Sequence, residues 1–129
     1  MQYIVAKTIL TIMKLKVTER RINELKQQLY KVGIPIPGSI HISYRRCGKK
    51  SCRCQLSDDN LHGPYYVWYR RENGRLTTQS IKKEDIHLYK EWIKNREKME
   101  MIINKILEIG SQYPGIRKKL KINYKKSVS

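Results

Sequence analysis

The sequence predicts a small α+β domain: a three-stranded antiparallel sheet with a Cys3His zinc knuckle, flanked by an N-terminal helix and a long C-terminal helix. Three observations predict it. Helical periodicity fills both ends of the chain, and period-two alternation fills the middle. Three cysteines and a histidine fall in one short segment between the strands.

Residues 1–16 are rich in β-branched side chains, yet Ile4, Ile9 and Ile12 also suit a helix, which is the preferred reading. Val17, Ile22, Leu25, Leu29 and Val32 then recur at helical spacing among polar residues, placing a helix over 17–32. Thr18 is its candidate N-cap and Gly33 its candidate left-handed C-terminal cap, while Pro35 and Pro37 prevent continuation. From Gly38 the period changes. Ile40, Ile42 and Tyr44 alternate with Ser39, His41 and Ser43, as in a strand. A compact Gly/Cys/Lys segment and a polar loop follow. Tyr65 to Arg71 and Arg75 to Ile81 then flank Asn73-Gly74, the strongest short hairpin signal, so knuckle and hairpin occupy 38–82.

Residues 84–110 form the longest periodic stretch. Leu88, Trp92, Met99, Ile102, Ile106 and Ile109 lie on one heptad seam, with Asn95 at the remaining seam position. Gly110 and Pro114-Gly115 end it. Residues 117–129 carry six Lys/Arg and no acid, and read as a basic flexible tail after a single domain over 1–116. The seam is longer than a helix over 17–32 can cover. It therefore offers a homodimer interface through 84–109 with Asn95 fixing register; equally, it packs on its own sheet with Asn95 in solvent.

The chain has 28 Lys+Arg against 11 Asp+Glu, a net charge of +17 on 129 residues. That length excludes two-domain enzymes, and that charge favours an acidic polymer or anionic surface as partner. The most apolar stretch, Ile4 to Met13, contains Lys7 and is half the roughly 20 residues of a membrane span. No membrane partner is expected, and no signal peptide is apparent, so the expected setting is cytoplasmic or intracellular with reduced thiols. Absent Phe with frequent Ile, Lys and Tyr suggests an AT-rich genome, such as that of an archaeal virus or mobile element.

Cys47, Cys52, Cys54 and His62 have the spacing C-x4-C-x-C-x7-H. Four such ligands suffice for a closed tetrahedral site, so a zinc ion there would be structural. Cys47-Gly48 looks like half a knuckle, with glycine allowing a tight turn. Cys52 and Cys54 would face one side of an extended segment. The bland alternative is three structural cysteines and a surface histidine. Arg45, Arg46, Lys49, Lys50 and Arg53 surround the cysteines; they favour thiolate and offset the formal −1 charge of a Cys3His–zinc complex.

The string Arg46-Cys47-Gly48-Lys49-x-x-Cys52-Arg53-Cys54, followed by His62-Gly63-Pro64-Tyr65-Tyr66, resembles the signature of an uncharacterised prokaryotic family, a domain of unknown function. The resemblance covers roughly residues 20–108. It implies a leading helix, a long trailing helix, and the three cysteines and His62 acting as one unit. It implies no biochemical activity.

Between His41 and Lys83, ten Lys/Arg outnumber three acids (Asp58, Asp59 and Glu72). Arg70, Arg71, Arg75, Lys82 and Lys83 join the knuckle cations as candidate phosphate contacts, with Arg117, Lys118 and Lys119 in the tail. Tyr66, Trp68 and Arg70 share one strand face, which makes Tyr66 and Trp68 candidate stacking residues. The other possibility is aromatics packed as core and solvated arginines. The expected function is a zinc-stapled nucleic-acid-binding accessory or regulatory protein, on DNA rather than RNA. The alternative is a protein–protein module, such as a host-factor inhibitor or virion component, acting through its long helix. Catalysis is not expected. The acids are too sparse to hold catalytic magnesium unless Asp58, Asp59 and a third acid converge, and no nucleophile or phosphate-loop motif is present.

Overall fold

The computed structural model describes the backbone of residues 1–128 and the side chains of residues 1–121. Helix α1 (Gln2–Tyr30) leads into strand β1 (Ser39–Arg45). Two short 3-10 turns, Arg53–Gln55 and Asp58–Asn60, precede β2 (His62–Glu72) and β3 (Arg75–Ile81). Helices α2 (Ile86–Gly110) and α3 (Tyr113–Val128) complete the chain. The predicted class therefore stands, and so does the order of elements up to α2. Contacts group the chain into two compact units. One holds residues 1–32 and the chain from Lys98 onward; the other is 33–97.

In the helical unit, α1 is one uninterrupted helix, longer than 17–32. Its covered positions are Ile4, Thr8, Thr11, Leu15, Thr18, Ile22, Leu25 and Leu29, continued by Val32, at alternating steps of four and three. Three threonines sit in that seam because each hydroxyl is satisfied within its own helix. Thr8, Thr11 and Thr18 donate to the carbonyls of Ile4, Lys7 and Lys14 at 2.9, 2.9 and 2.8 Å. Thr18 is thus a buried mid-helix residue, not an N-cap. Nor is Gly33 a left-handed cap: the helix ends on Lys31 in right-handed geometry, with the Lys31 N–H bonded to the Gln28 carbonyl and the Val32 N–H to that of Leu29.

The segment expected as a mobile tail from 117 is instead part of α3; Ser129 lies outside the described residues. Pro114 begins α3 instead of merely ending α2, because its missing N–H falls in a first turn, where no intrahelical acceptor exists. The α2 seam continues through it. Met99, Ile102, Ile106, Ile109, Tyr113, Ile116 and Leu120 are all at least half-covered, again at steps of three and four. The Tyr113 hydroxyl donates to Glu19 of α1 at 2.8 Å. That bond and burial raise the tyrosine's pKa, because the neutral phenol is the hydrogen-bonded form.

In the sheet unit the strand order is β1-β2-β3, antiparallel throughout. The hairpin turns on Asn73 and Gly74, both at positive φ (51° and 78°), as the Asn-Gly pair predicts for a type I′ turn. Gly38 sits at φ +89°, and a Cβ there would lie 2.0 Å from the Tyr69 carbonyl oxygen, so only glycine lets β1 start beside β2. The first part of α2 covers one face of the sheet. The Trp68 ring packs edge-on to Tyr89, Gln79 donates to the Tyr89 hydroxyl, and Ile81 is buried. Asn95 neither fixes a dimer register nor points freely to solvent. Its amide donates to the Ile34 carbonyl at 3.0 Å, with Gly33 against it, and pins the segment entering β1.

Candidate metal centre

The knuckle is built by β1, the two short turns and the first residue of β2. β1 delivers Cys47, through a register irregularity between Ser43 and Arg45. Cys52 has extended backbone, and the 3-10 turn Arg53–Gln55 then curls Cys54 inward, replacing the fully extended pair expected at 52–54. His62 opens β2, in register with Arg45. The chain bends at Gly48 and turns through Lys49–Cys52, but Gly48 does not take a left-handed φ and has open space at its Cβ position, so the turn does not require glycine.

The four ligand atoms lie within 4.8 Å of one another. The Cys47 and Cys54 sulfurs are 3.6 Å apart, and the Cys52 sulfur is 3.2 Å from His62 Nε2. Tetrahedral zinc bonds of about 2.3 Å to sulfur and about 2.0 Å to nitrogen would separate such pairs by roughly 3.8 and 3.5 Å. The cluster can therefore close on an ion with small adjustments, and these four residues could hold a metal ion.

A surrounding shell fixes the knuckle. Cys54 is wholly buried. The Cys47 N–H points at its sulfur (3.3 Å), and the Gln55 amide donates to the Cys47 carbonyl at 2.8 Å. Arg46 donates to the Cys54 carbonyl at 2.6 Å and pairs with Asp58. These contacts also distinguish the thiols electrostatically. The Cys54 backbone N–H, then the Cys47 and Cys54 thiols and His62, pull Cys52 from an ordinary 9.0 to about 6, against burial. At Cys54 the Cys47 N–H favours thiolate, but burial and the neighbouring sulfurs prevail and raise its pKa.

The other candidate residues separate into two groups. Arg46 is committed to the knuckle, and Arg70 lies over the Trp68 ring at 3.9 Å and pairs with Glu72 at 2.7 Å. Arg45, Lys49, Lys50, Arg53, Arg71, Arg75, Lys82 and Lys83 are exposed on the sheet unit. Arg117, Lys118 and Lys119 are exposed on α3 of the helical unit. The stacking candidates Tyr66 and Trp68 lie on the α2-covered face: Trp68 donates its indole N–H to the Pro37 carbonyl at 2.7 Å. Alternation showed that two faces exist without showing which one α2 covers.

The residues missed are on the opposite face. Register places Ser39, His41, Ser43, Tyr65, Val67, Tyr69, Thr78 and Ser80 there. His41 stacks on Tyr69 with centroids 4.3 Å apart, Arg45 lies 5.4 Å over Tyr65, and Tyr65 is 45% exposed. Asp58 is occupied by Arg46, and no cluster of three acids able to hold a metal occurs among the described residues.

No curated protein and no solved structure matches the chain. Residues 15–95, well over half of it and including the whole knuckle, match the domain of unknown function DUF6788, and the chain belongs to that family.

Proposed function

We propose that this is a nucleic-acid-binding protein whose Cys3His centre holds one structural zinc ion. The observation that carries the reading is the division of labour among cations at the centre. Arg46, itself partly exposed, is engaged by the Cys54 carbonyl and Asp58 and braces the knuckle, whereas Arg45, Lys49, Lys50 and Arg53 of the same segment face solvent. Three thiolates and a neutral histidine select a borderline-soft ion, which favours zinc over magnesium or calcium. With four protein ligands the site keeps no open position, so zinc would brace the fold and leave phosphate contact to the cations. Four phosphate contacts give a salt slope near −3.6, about a hundredfold loss of affinity between 50 and 200 mM salt. Titration of labelled duplex and single-stranded DNA against salt tests this. Affinity that stays flat as salt rises contradicts it.

A second reading, a protein–protein module, is favoured by α1 and not by the 84–109 seam, whose positions are turned inward. Tyr3, Val5, Ile9, Leu10, Met13 and Val17 of α1 are exposed, so its first half is apolar on more than its seam. Light scattering of the purified chain tests self-association through this surface. A mass equal to one 15.4 kDa chain at high concentration contradicts it.

A further inference from the structure

We infer that the open face of the sheet is a stacking platform for the unpaired bases of a single-stranded nucleic acid. This rests on the nucleic-acid reading above and names which form of nucleic acid the protein takes and where. Three observations carry it. First, α2 covers the Tyr66/Trp68 side, and on the other side Ser39, His41, Tyr65, Thr78 and Ser80 are exposed around the buried Val67. Second, that face presents flat rings at two stations about 13 Å apart along β2. Tyr65 is one, and the stacked His41–Tyr69 pair is the other. Third, its charge is of one sign. No position of this face is acidic, Arg45 lies over Tyr65, and Arg71 is at the far end.

Beside Tyr65 a recess of about 280 Å³ is lined by Arg45, Ser80 and Lys83, with no acid. It can take a phosphate while the ring beside it takes the base. The larger cleft under α2, about 780 Å³, is a poorer candidate because Glu91 and Glu97 line it along with Lys90 and Lys94. A duplex keeps its base faces inside its own stack, so exposed rings on a flat sheet favour unpaired bases, as stacking platforms elsewhere do. The aromatic rings supply contact that salt does not screen, and the cations supply contact that it does.

The test uses the full chain loaded with zinc and fluorescein-labelled oligo-dT, oligo-rU and a mixed-sequence DNA duplex of equal length, read by anisotropy. Tyr65→Leu is expected to weaken single-strand binding about tenfold, with the salt slope and the duplex affinity unchanged. Arg45→Gln with Lys83→Gln is expected to weaken single-strand binding and to reduce the salt slope. Zinc content and the unfolding midpoint confirm that each variant is folded. Equal, salt-dependent binding of strand and duplex that Tyr65→Leu does not change overturns the platform and leaves nucleic-acid binding standing. No binding of any probe at low salt overturns both.

Discussion

Replacing Gly38 by alanine separates steric from conformational demands at the entry to the sheet. The added Cβ would sit 2.0 Å from the Tyr69 carbonyl oxygen and 2.9 Å from its carbon, both main-chain atoms. Contacts below 3.0 Å are not tolerated, so β1 must move by at least about 1 Å, against the Ser39–Tyr69 register. The left-handed φ of +89° adds about 1 kcal/mol for any side chain. Strain of this kind together with loss of ladder pairing comes to about 3 kcal/mol or more. Gly74 has a similar φ, +78°, but open space, so Gly74→Ala should cost only about 1 kcal/mol. Gly48 has open space and no left-handed φ, so Gly48→Ala should stay within about 0.5 kcal/mol. Urea unfolding at saturating zinc, followed by emission of Trp68 and Trp92, ranks the three. If Gly38→Ala costs no more than Gly74→Ala, the close approach of β1 to β2 is wrong.

Other outcomes follow from the knuckle and its neighbours. In metal-free protein the Cys52 thiolate should appear, by absorbance at 240 nm, as pH rises through about 6, while Cys54 titrates above the ordinary cysteine value. The lowered Cys52 value therefore stabilises the fold fully above pH 9.0 and ceases to do so as pH falls through about 6; stability flat across that window contradicts it. Arg46→Leu should weaken zinc binding about tenfold, since it removes the brace on the Cys54 carbonyl, and leave the salt slope of nucleic-acid binding unchanged; a smaller slope would make Arg46 a phosphate contact. Asn95→Ala should lower stability by about 1 kcal/mol by stripping the Ile34 carbonyl of its donor, with no change of mass in solution; dissociation of an oligomer would restore a register role.

The middle of the chain was legible because its signals are local. Asn73-Gly74 demands positive φ at both turn positions, and the C-x4-C-x-C-x7-H spacing brings four ligand atoms together whatever the detailed path between them. The ends were less legible. In α1 the covered positions 8, 11 and 18 are threonine while Ile9, Leu10 and Met13 are exposed, so a hydrophobicity count marks the wrong side. The α2 seam continues into Tyr113, Ile116 and Leu120, but Gly110 and Pro114-Gly115 read as a stop although proline is at home in a helix's first turn. A search for heptad steps beyond the proline would have found α3. The sheet's open face was missed because alternation assigns Tyr65 and Tyr69 to one side and Tyr66 and Trp68 to the other, but only the placement of Tyr89 decides which side is covered.

The account rests on Cys47, Cys52, Cys54 and His62 holding one zinc ion, and metal analysis with zinc-edge X-ray absorption on protein purified without chelator tests that most directly. It predicts one zinc per chain with three sulfurs at about 2.3 Å and one nitrogen at about 2.0 Å, lost in Cys54→Ser. Purified protein that carries no zinc at these residues, or zinc bound chiefly through oxygen, would contradict it.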